Sequence, residues 1–319
     1  HFHIDSMVLF VLRKFVYASV TLLGVTLITF LLIKSIPGDP VLSLVGERSH
    51  PETVASIRKE LGTDRPFLLQ YAGYLRLLIR GEMGRSYYTN RKVSQDIKEK
   101  FPHTLRLALA AMIFASFGGI VLGVFMAVVR GSIWDRLASC LAIAGVSVPV
   151  FWIGLMLMLV FSFIFHLLPP SGMGGNRVAY LILPAATLGI SSAAYIARIT
   201  RSSVLEVYLQ DFVVTARAKG LPEWIVIFKH TLKNAMIPII TLIGVDFGSY
   251  LNGAVLTETI FGWDGIGLYA LNGIMRRDYP VVLGTVLVGA LVFILVNMTV
   301  DICYAYVNPR VRMRGIGQE

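Results

Sequence analysis

Six stretches of the chain stay apolar for about 20 residues or more, roughly 15–36, 104–129, 137–166, 179–199, 237–257 and 281–306. About 20 residues at 1.5 Å each cross a hydrocarbon core of about 30 Å, so each stretch is a candidate span. The third is long for one crossing, and Pro149 predicts a kink within it or a partly extramembrane end. Between the first two spans lies a polar segment, 37–103, with a periodicity of its own. The run IPGDP stops the first span abruptly. Pro51 to Leu61 is predicted helical, with proline at its first position and Gly62 just past its end. Pro66 to Arg80 predicts a second helix, with Phe67, Tyr71, Tyr74, Leu75 and Leu78 on one face and Gly81 as its stop. The segment reads as a small folded extracytoplasmic cap or as a bare connection, and its 67 residues exceed what a connection needs. The expected fold is an all-α membrane protein, a polytopic bundle of six transmembrane helices with a small helical extracytoplasmic segment between the first and second spans.

One polar interruption breaks this pattern: DFVVTARAKGLPEWIVIFKHTLKNAMIPI, residues 211–239, is basic and amphipathic, with membrane-length runs on both sides. Leu205, Tyr208, Leu209, Phe212 and Ala216 recur at helical spacing, which predicts a helix over 203–219 with one apolar stripe. Gly220 fits the left-handed position that ends many helices, with Leu221 supplying the accompanying apolar contact. Pro222 then opens a second helix whose Ile225, Phe228 and Leu232 share a face. Each helix is too short to stand alone and needs a surface for its stripe. That surface is either a partner protein or the membrane itself.

Composition and charge orient the bundle. Of 319 residues 55% are hydrophobic and 15% charged, against about a quarter charged in soluble domains. With six spans and a cytoplasmic start, thirteen basic residues fall in short inner segments, from Arg13 and Lys14 through the 198–233 stretch to Arg314. Only Arg177, Arg276 and Arg277 fall in short outer loops. This positive-inside bias predicts that both termini lie on the cytoplasmic side of the membrane. The net charge of +10 then reflects topology and attraction to anionic lipid, and nucleic acid is not expected as a partner. Residues 1–6, HFHIDS before Met7, read as a cloning remnant, and 7–36 as cytoplasmic N-terminus and first span. The cap follows at 37–103, then a transmembrane core 104–306 with a cytoplasmic loop 200–236, and a cytoplasmic tail 307–319. Cys140 and Cys303 lie in apolar runs without metal-ligand spacing and read as packing residues.

No phosphate loop, zinc-protease helix or nucleophile elbow occurs anywhere in the sequence. The chain is therefore not expected to be an enzyme, and if it moves anything uphill the energy must come from a partner. Asp246 in the fifth span is the ionisable residue most costly to keep in lipid. Ser249, Asn252 and Gly253 follow it on one small polar face, and Gly244 with Gly248 permits close helix approach. Asp246, Ser249 and Asn252 line a substrate pathway, or else Asp246 pairs with a basic residue of a partner subunit. No metal site is expected.

The order of residues in the interruption carries more. TARAKGL followed by HTLKNAMIP resembles the cytoplasmic EAA loop of ABC-importer permeases, in the version of the dipeptide and oligopeptide branch. The broader pattern is Glu-Ala-Ala, three residues, Gly, nine residues, Ile-x-Leu-Pro. Here Val214 stands at the Glu position, Thr215 and Ala216 at the two Ala positions, and Gly220 at the Gly. His230 replaces the Ile, Leu232 matches, and Lys233 stands where the Pro would be. The branch ending follows at Asn234, Ala235 and Pro238. IPGDP (36–40), GERS (46–49), LGTDRPFLLQYAGYL (61–75), GEMGRS (81–86), ETIFGWDGIG (258–267), RRDYP (276–280) and NPRVR (308–312) resemble further signatures, in the family's order.

The resemblance implies a permease subunit that imports dipeptides or oligopeptides. Nickel and small oligosaccharides are the alternatives within the same architecture. It implies a second homologous permease, two cytoplasmic ATPases and an extracytoplasmic substrate-binding protein as partners. No cofactor is expected in this chain, with ATP and Mg on the partner subunits. Coupling to the ATPases is expected at Thr215, Ala216, Arg217, Ala218, Gly220, Leu221 and Leu232. An ion-driven secondary transporter, the rival from another class, would show internal repeats with interrupted spans, and no such symmetry is visible.

Overall fold

In lipid every backbone N–H and C=O must pair within its own segment, so long apolar runs are forced into helix. The computed structural model describes residues 2–35, 39–46, 50–175, 177–251 and 254–307. Its helices, in chain order, are α1 (Phe2–Ser35), α2 (Pro40–Val45), α3 (Pro51–Glu60), α4 (Phe67–Ile79), α5 (Val93–Val128), α6 (Ile133–Ser147) and α7 (Val150–Leu157). Then come α8 (Val178–Tyr208), α9 (Asp211–Ala218), α10 (Glu223–Ile225), α11 (Lys233–Leu251), α12 (Val255–Phe261), α13 (Ile266–Arg276) and α14 (Tyr279–Val307). Two π-helical stretches, Met158–Ile164 and Val226–Leu232, extend α7 and join α10 to α11. Among the described residues five helices are long and apolar enough to cross a membrane, and a bent pair makes a sixth. The pair is Ile133–Ser147 with Val150–Ile164, turned through 107° at Pro149, where the sequence predicts the kink.

Three boundaries differ from expectation, one of them that of the fourth span, which runs on to Tyr208 instead of ending near 199. The second span starts at Val93 instead of 104, because the end of the 37–103 segment continues into it as one helix. The fifth occupies Glu223–Leu251 instead of 237–257, and Val255 onward forms the separate α12. Pro238 lies inside α11 and does not stop it. Cys140 is exposed on α6, so within this chain it packs against nothing that hides it.

The described residues divide into two compact units: those up to 103 with 264–294, and 104–263 with those from 295 on. In the first unit the predicted face of α4 does pack. Phe67, Tyr71, Tyr74 and Leu78 meet Phe30 and Ile33 of α1 and Val282 and Leu283 of α14. Thr26 Oγ1 lies 3.1 Å from the Tyr71 hydroxyl. Buried Asp278 holds the turn before α5, accepting from Ser86 Oγ at 2.5 Å and from the Tyr87 N–H at 3.1 Å. The helix α4 thus shares a core with α1 and α14 in this unit.

In the second unit α8 is the central helix, packed by α6, α7 and α11. Its contact with α5 is made by small residues. A Cβ on Gly119 would come within 2.7 Å of the Ala193 carbonyl and Ile196, and one on Gly123 within 2.5 Å of the Ala197 carbonyl and Thr200. Fully buried Ala115 and nearly buried Ala127 extend the same row at four-residue spacing. The backbones touch because these side chains are missing. Gly118, one residue away, faces nothing within 4 Å. Gly118→Ala is therefore expected to raise the thermal midpoint of the detergent-solubilised protein, since alanine suits a helix better by up to about 1 kcal/mol. Gly123→Ala should lower the midpoint, because overpacking costs about 1–3 kcal/mol and outweighs the same gain in propensity. Equal shifts for the two would remove the close approach from the account.

Candidate functional site

The polar interruption becomes a compact handle. The end of α8 leads through Leu209 and Gln210 into α9, and Thr215 Oγ1 bonds back to the Asp211 carbonyl at 2.8 Å. Gly220 then turns the chain at φ +79°. Its N–H donates to the Arg217 carbonyl at 2.8 Å and that of Leu221 to the Ala216 carbonyl at 3.5 Å, the paired bonds of a left-handed helix stop. Leu221 packs inward as the expected apolar contact. Pro222 opens the second arm, its carbonyl accepting from Ile225 and Val226.

A charged brace closes the corner. The Arg217 guanidinium lies 3.7 Å from the centroid of the Tyr208 ring and donates to Glu223 Oε1 at 2.8 Å. The Tyr208 hydroxyl donates to the same oxygen at 2.5 Å. Three residues, one from each side of the two turns, thus fix the arms on one another. Val214, at the position of the pattern's acidic residue, is exposed.

Beneath the corner, Val204, Val207, Val213, Ala216, Val226, Ile227 and Ala235 form one buried cluster with Val124 and Ala127 of α5. The handle is thereby welded to the ends of α5, α8 and α11. This corrects both predicted stripes. The break at Leu209–Gln210 rotates the register, so Val213 is buried while Leu209 and Phe212 are exposed. In the second arm the π-turn spaces contacts by five, so Val226, Ile227 and Thr231 point inward and Phe228 outward. Thr231 Oγ1 reaches the Val226 carbonyl at 3.0 Å across that turn.

The expected coupling residues therefore separate. Thr215, Ala218 and Gly220 are exposed, Arg217, Leu221 and Leu232 half-buried, and Ala216 is buried. Nothing lies within 4 Å of the place where a Gly220 side chain would stand. Trp224 and Phe228, one turn apart, are 65% and 59% exposed, and exposed Lys219 and Lys229 flank them. The sequence pattern had no reason to single out Trp224.

Of the pathway residues, Asp246 is half-buried in α11, Ser249 is exposed, and Asn252 lies outside the described residues. Asp246 Oδ2 is a buried oxygen without a hydrogen-bond partner among them, and Ser192 of α8 stands beside the carboxylate. The Tyr250 hydroxyl reaches Ser192 Oγ at 2.5 Å and the Leu188 carbonyl at 3.2 Å. The polar set thus runs between α8 and α11, through two residues that reasoning along one helix misses. Tyr250 follows Asp246 by four residues, which was the available signal.

The family described as "Binding-protein-dependent transport system inner membrane component" matches residues 119–313. The N-terminal part of such membrane components matches 7–108. The dipeptide transport system permease protein DppB of Escherichia coli (strain K12) is 43% identical over 96% of this chain and 99% of its own length. The glutathione transport system permease protein GsiC of Salmonella typhimurium (strain LT2) is 39% identical over 96% and 99%. Among solved structures, a chain of the inward-facing methionine ABC transporter MetNI matches with a TM-score of 0.55 and 19% identity, covering 66% of this chain and 96% of that one, a likeness of fold alone. The chain belongs to the inner-membrane components of binding-protein-dependent transport systems, the permease subunits of ABC importers, in the branch that includes the dipeptide and glutathione permeases.

Proposed function

We propose that this permease passes short peptides, delivered by an extracytoplasmic binding protein, across the inner membrane, and that its handle takes up the motion of the ATPases. The observation that carries this reading is the exposed Gly220 corner with its buried underside fused to α5, α8 and α11. A push on such a corner reaches three spans at once. Peptide as substrate is supported by the names of the end-to-end relatives, one for dipeptides and one for glutathione. Family membership leaves no place for ion-driven secondary transport.

The finer assignments rest on the family resemblance and on the charge pattern. Two cytoplasmic ATPases bind ATP with Mg and hydrolyse it, and a second homologous permease completes the path. The positive-inside bias puts the handle and both termini in the cytoplasm. Thr215, Ala218 and Gly220 form the outer surface of the corner, and Trp224 and Phe228 offer an apolar ridge with lysines at its rim. An apolar groove with an acidic edge on the ATPase suits that ridge. Ala216, Leu221 and Leu232 hold the corner to the spans. Asp246, with Ser192 and Tyr250, meets the ammonium group of a passing peptide.

Two substitutions test the reading. Gly220→Val is expected to abolish substrate-stimulated ATP hydrolysis in a correctly inserted complex, because a β-branched residue resists φ +79° by about 1–2 kcal/mol or more. Gly220→Asn, which tolerates that conformation, should keep most of it. Normal stimulation in Gly220→Val would take the corner out of coupling. For the path, Asp246→Asn should reduce uptake of free-amine peptides more than of N-acetylated ones in reconstituted vesicles, since an amide cannot offset the desolvation of a cation. Equal loss of both, with a complex that melts earlier, would make Asp246 a structural anchor instead.

A further inference from the structure

One ion pair with a buried carboxylate, outside the corner and outside the pathway, ties α6 to the root of the handle. Arg201 stands on α8 two turns before Tyr208. Its Nε and Nη2 donate to Oδ1 and Oδ2 of Asp135 at 2.9 and 2.8 Å, the two parallel bonds of a planar fork. The Asp135 side chain is 7% exposed and the Arg201 side chain 31%. Asp135 Oδ2 also accepts from the Gly131 N–H at 3.0 Å, and Oδ1 lies 3.5 Å from the Ser139 hydroxyl. Ser132 caps α6 by accepting from the Asp135 N–H at 3.2 Å. The carboxylate therefore fixes the turn after α5, the start of α6 and the lower part of α8 together. The neighbouring Thr200 is fully buried and meets the bare backbone of Gly123.

Adhesion alone does not account for this arrangement. Burying a carboxylate costs several kcal/mol, and an apolar pair of similar volume would hold two helices at least as firmly. A two-point fork does something an apolar contact does not: it fixes rotation as well as distance. Helix α6 continues through the 107° bend into α7, where Gly154 rests on Thr187 of α8. A turn of α8 that the fork transmits thus reaches both halves of the bent pair.

We infer that Asp135 and Arg201 are positioning residues for transport, a clamp that makes the bent pair α6–α7 follow α8 when the handle is displaced. The inference rests on the handle being the coupling element. It is tested in the complete complex, with its ATPases and binding protein, in proteoliposomes, by peptide imported per ATP hydrolysed together with thermal midpoint. Arg201→Lys keeps the attraction and loses the fork. The double variant Asp135→Asn/Arg201→Met keeps the volume and an acceptor for the Gly131 N–H and loses the charge. Both are expected to assemble and melt as the parent does while the ratio falls on the order of tenfold, about what one charged hydrogen bond is worth. A parental ratio in the double variant overturns the proposal, and so does failure of both variants to assemble, which makes the pair an anchor only. Gly220→Val in the same assay separates the two readings: if it too keeps the parental ratio, the handle reading has failed, and if it alone loses coupling, only the clamp has.

Discussion

The second unit depends on the backbone approach of α5 to α8. Lipid offers no hydrophobic gain for bringing two helices together, so packing must come from close contact along missing side chains. The row Ala115, Gly119, Gly123 and Ala127 provides it, with Ala193, Ile196, Ala197 and Thr200 filling the space. Where the row ends, Val124 and Ala127 pass into the cluster under the handle. The same contact that joins two spans therefore sets the floor on which the handle is built. Lengthening any of those side chains would move the handle as well as the helix.

From that floor upward, each level is fixed by a different force. Valine packing holds α9 and the π-turn down, the left-handed glycine sets the corner, and the Arg217–Tyr208–Glu223 brace closes it. The brace is partly solvated and adds little energy of its own. Its effect is geometric, since it removes the freedom of the two arms to splay. A rigid corner is what a coupling element needs, because a soft one would absorb the displacement it is meant to pass on.

Much of this was legible in the sequence, and the reasons are specific. Span positions follow from apolar length, and the kink at Pro149 from its missing N–H. Gly220 was readable because a glycine between two short amphipathic runs has few other uses. The inward faces of the handle were not readable. A break at Leu209–Gln210 and a π-turn at Val226–Leu232 each shift the register, and a 3.6-residue period carries no sign of either. Partners from other helices were equally hidden: Ser192 beside Asp246, and Arg201 on Asp135 across 66 residues. The small row on α5 was visible as letters, but glycine is common in spans and its spacing acquires meaning only when a facing helix is known. Asn252 lies outside the described residues, so the far end of the predicted polar face rests on pattern alone.

The central claim is that the handle moves as one body with its spans. Spin labels at Ala218 on the corner and Val128 at the end of α5, both exposed and within one unit, report on it directly. In the assembled complex the distance distribution between them should be the same, in position and width, without nucleotide and with ATP held by a hydrolysis-deficient ATPase. A distribution that broadens or shifts on ATP binding would mean that the handle swings free of α5, and the account of coupling through a welded base would be wrong.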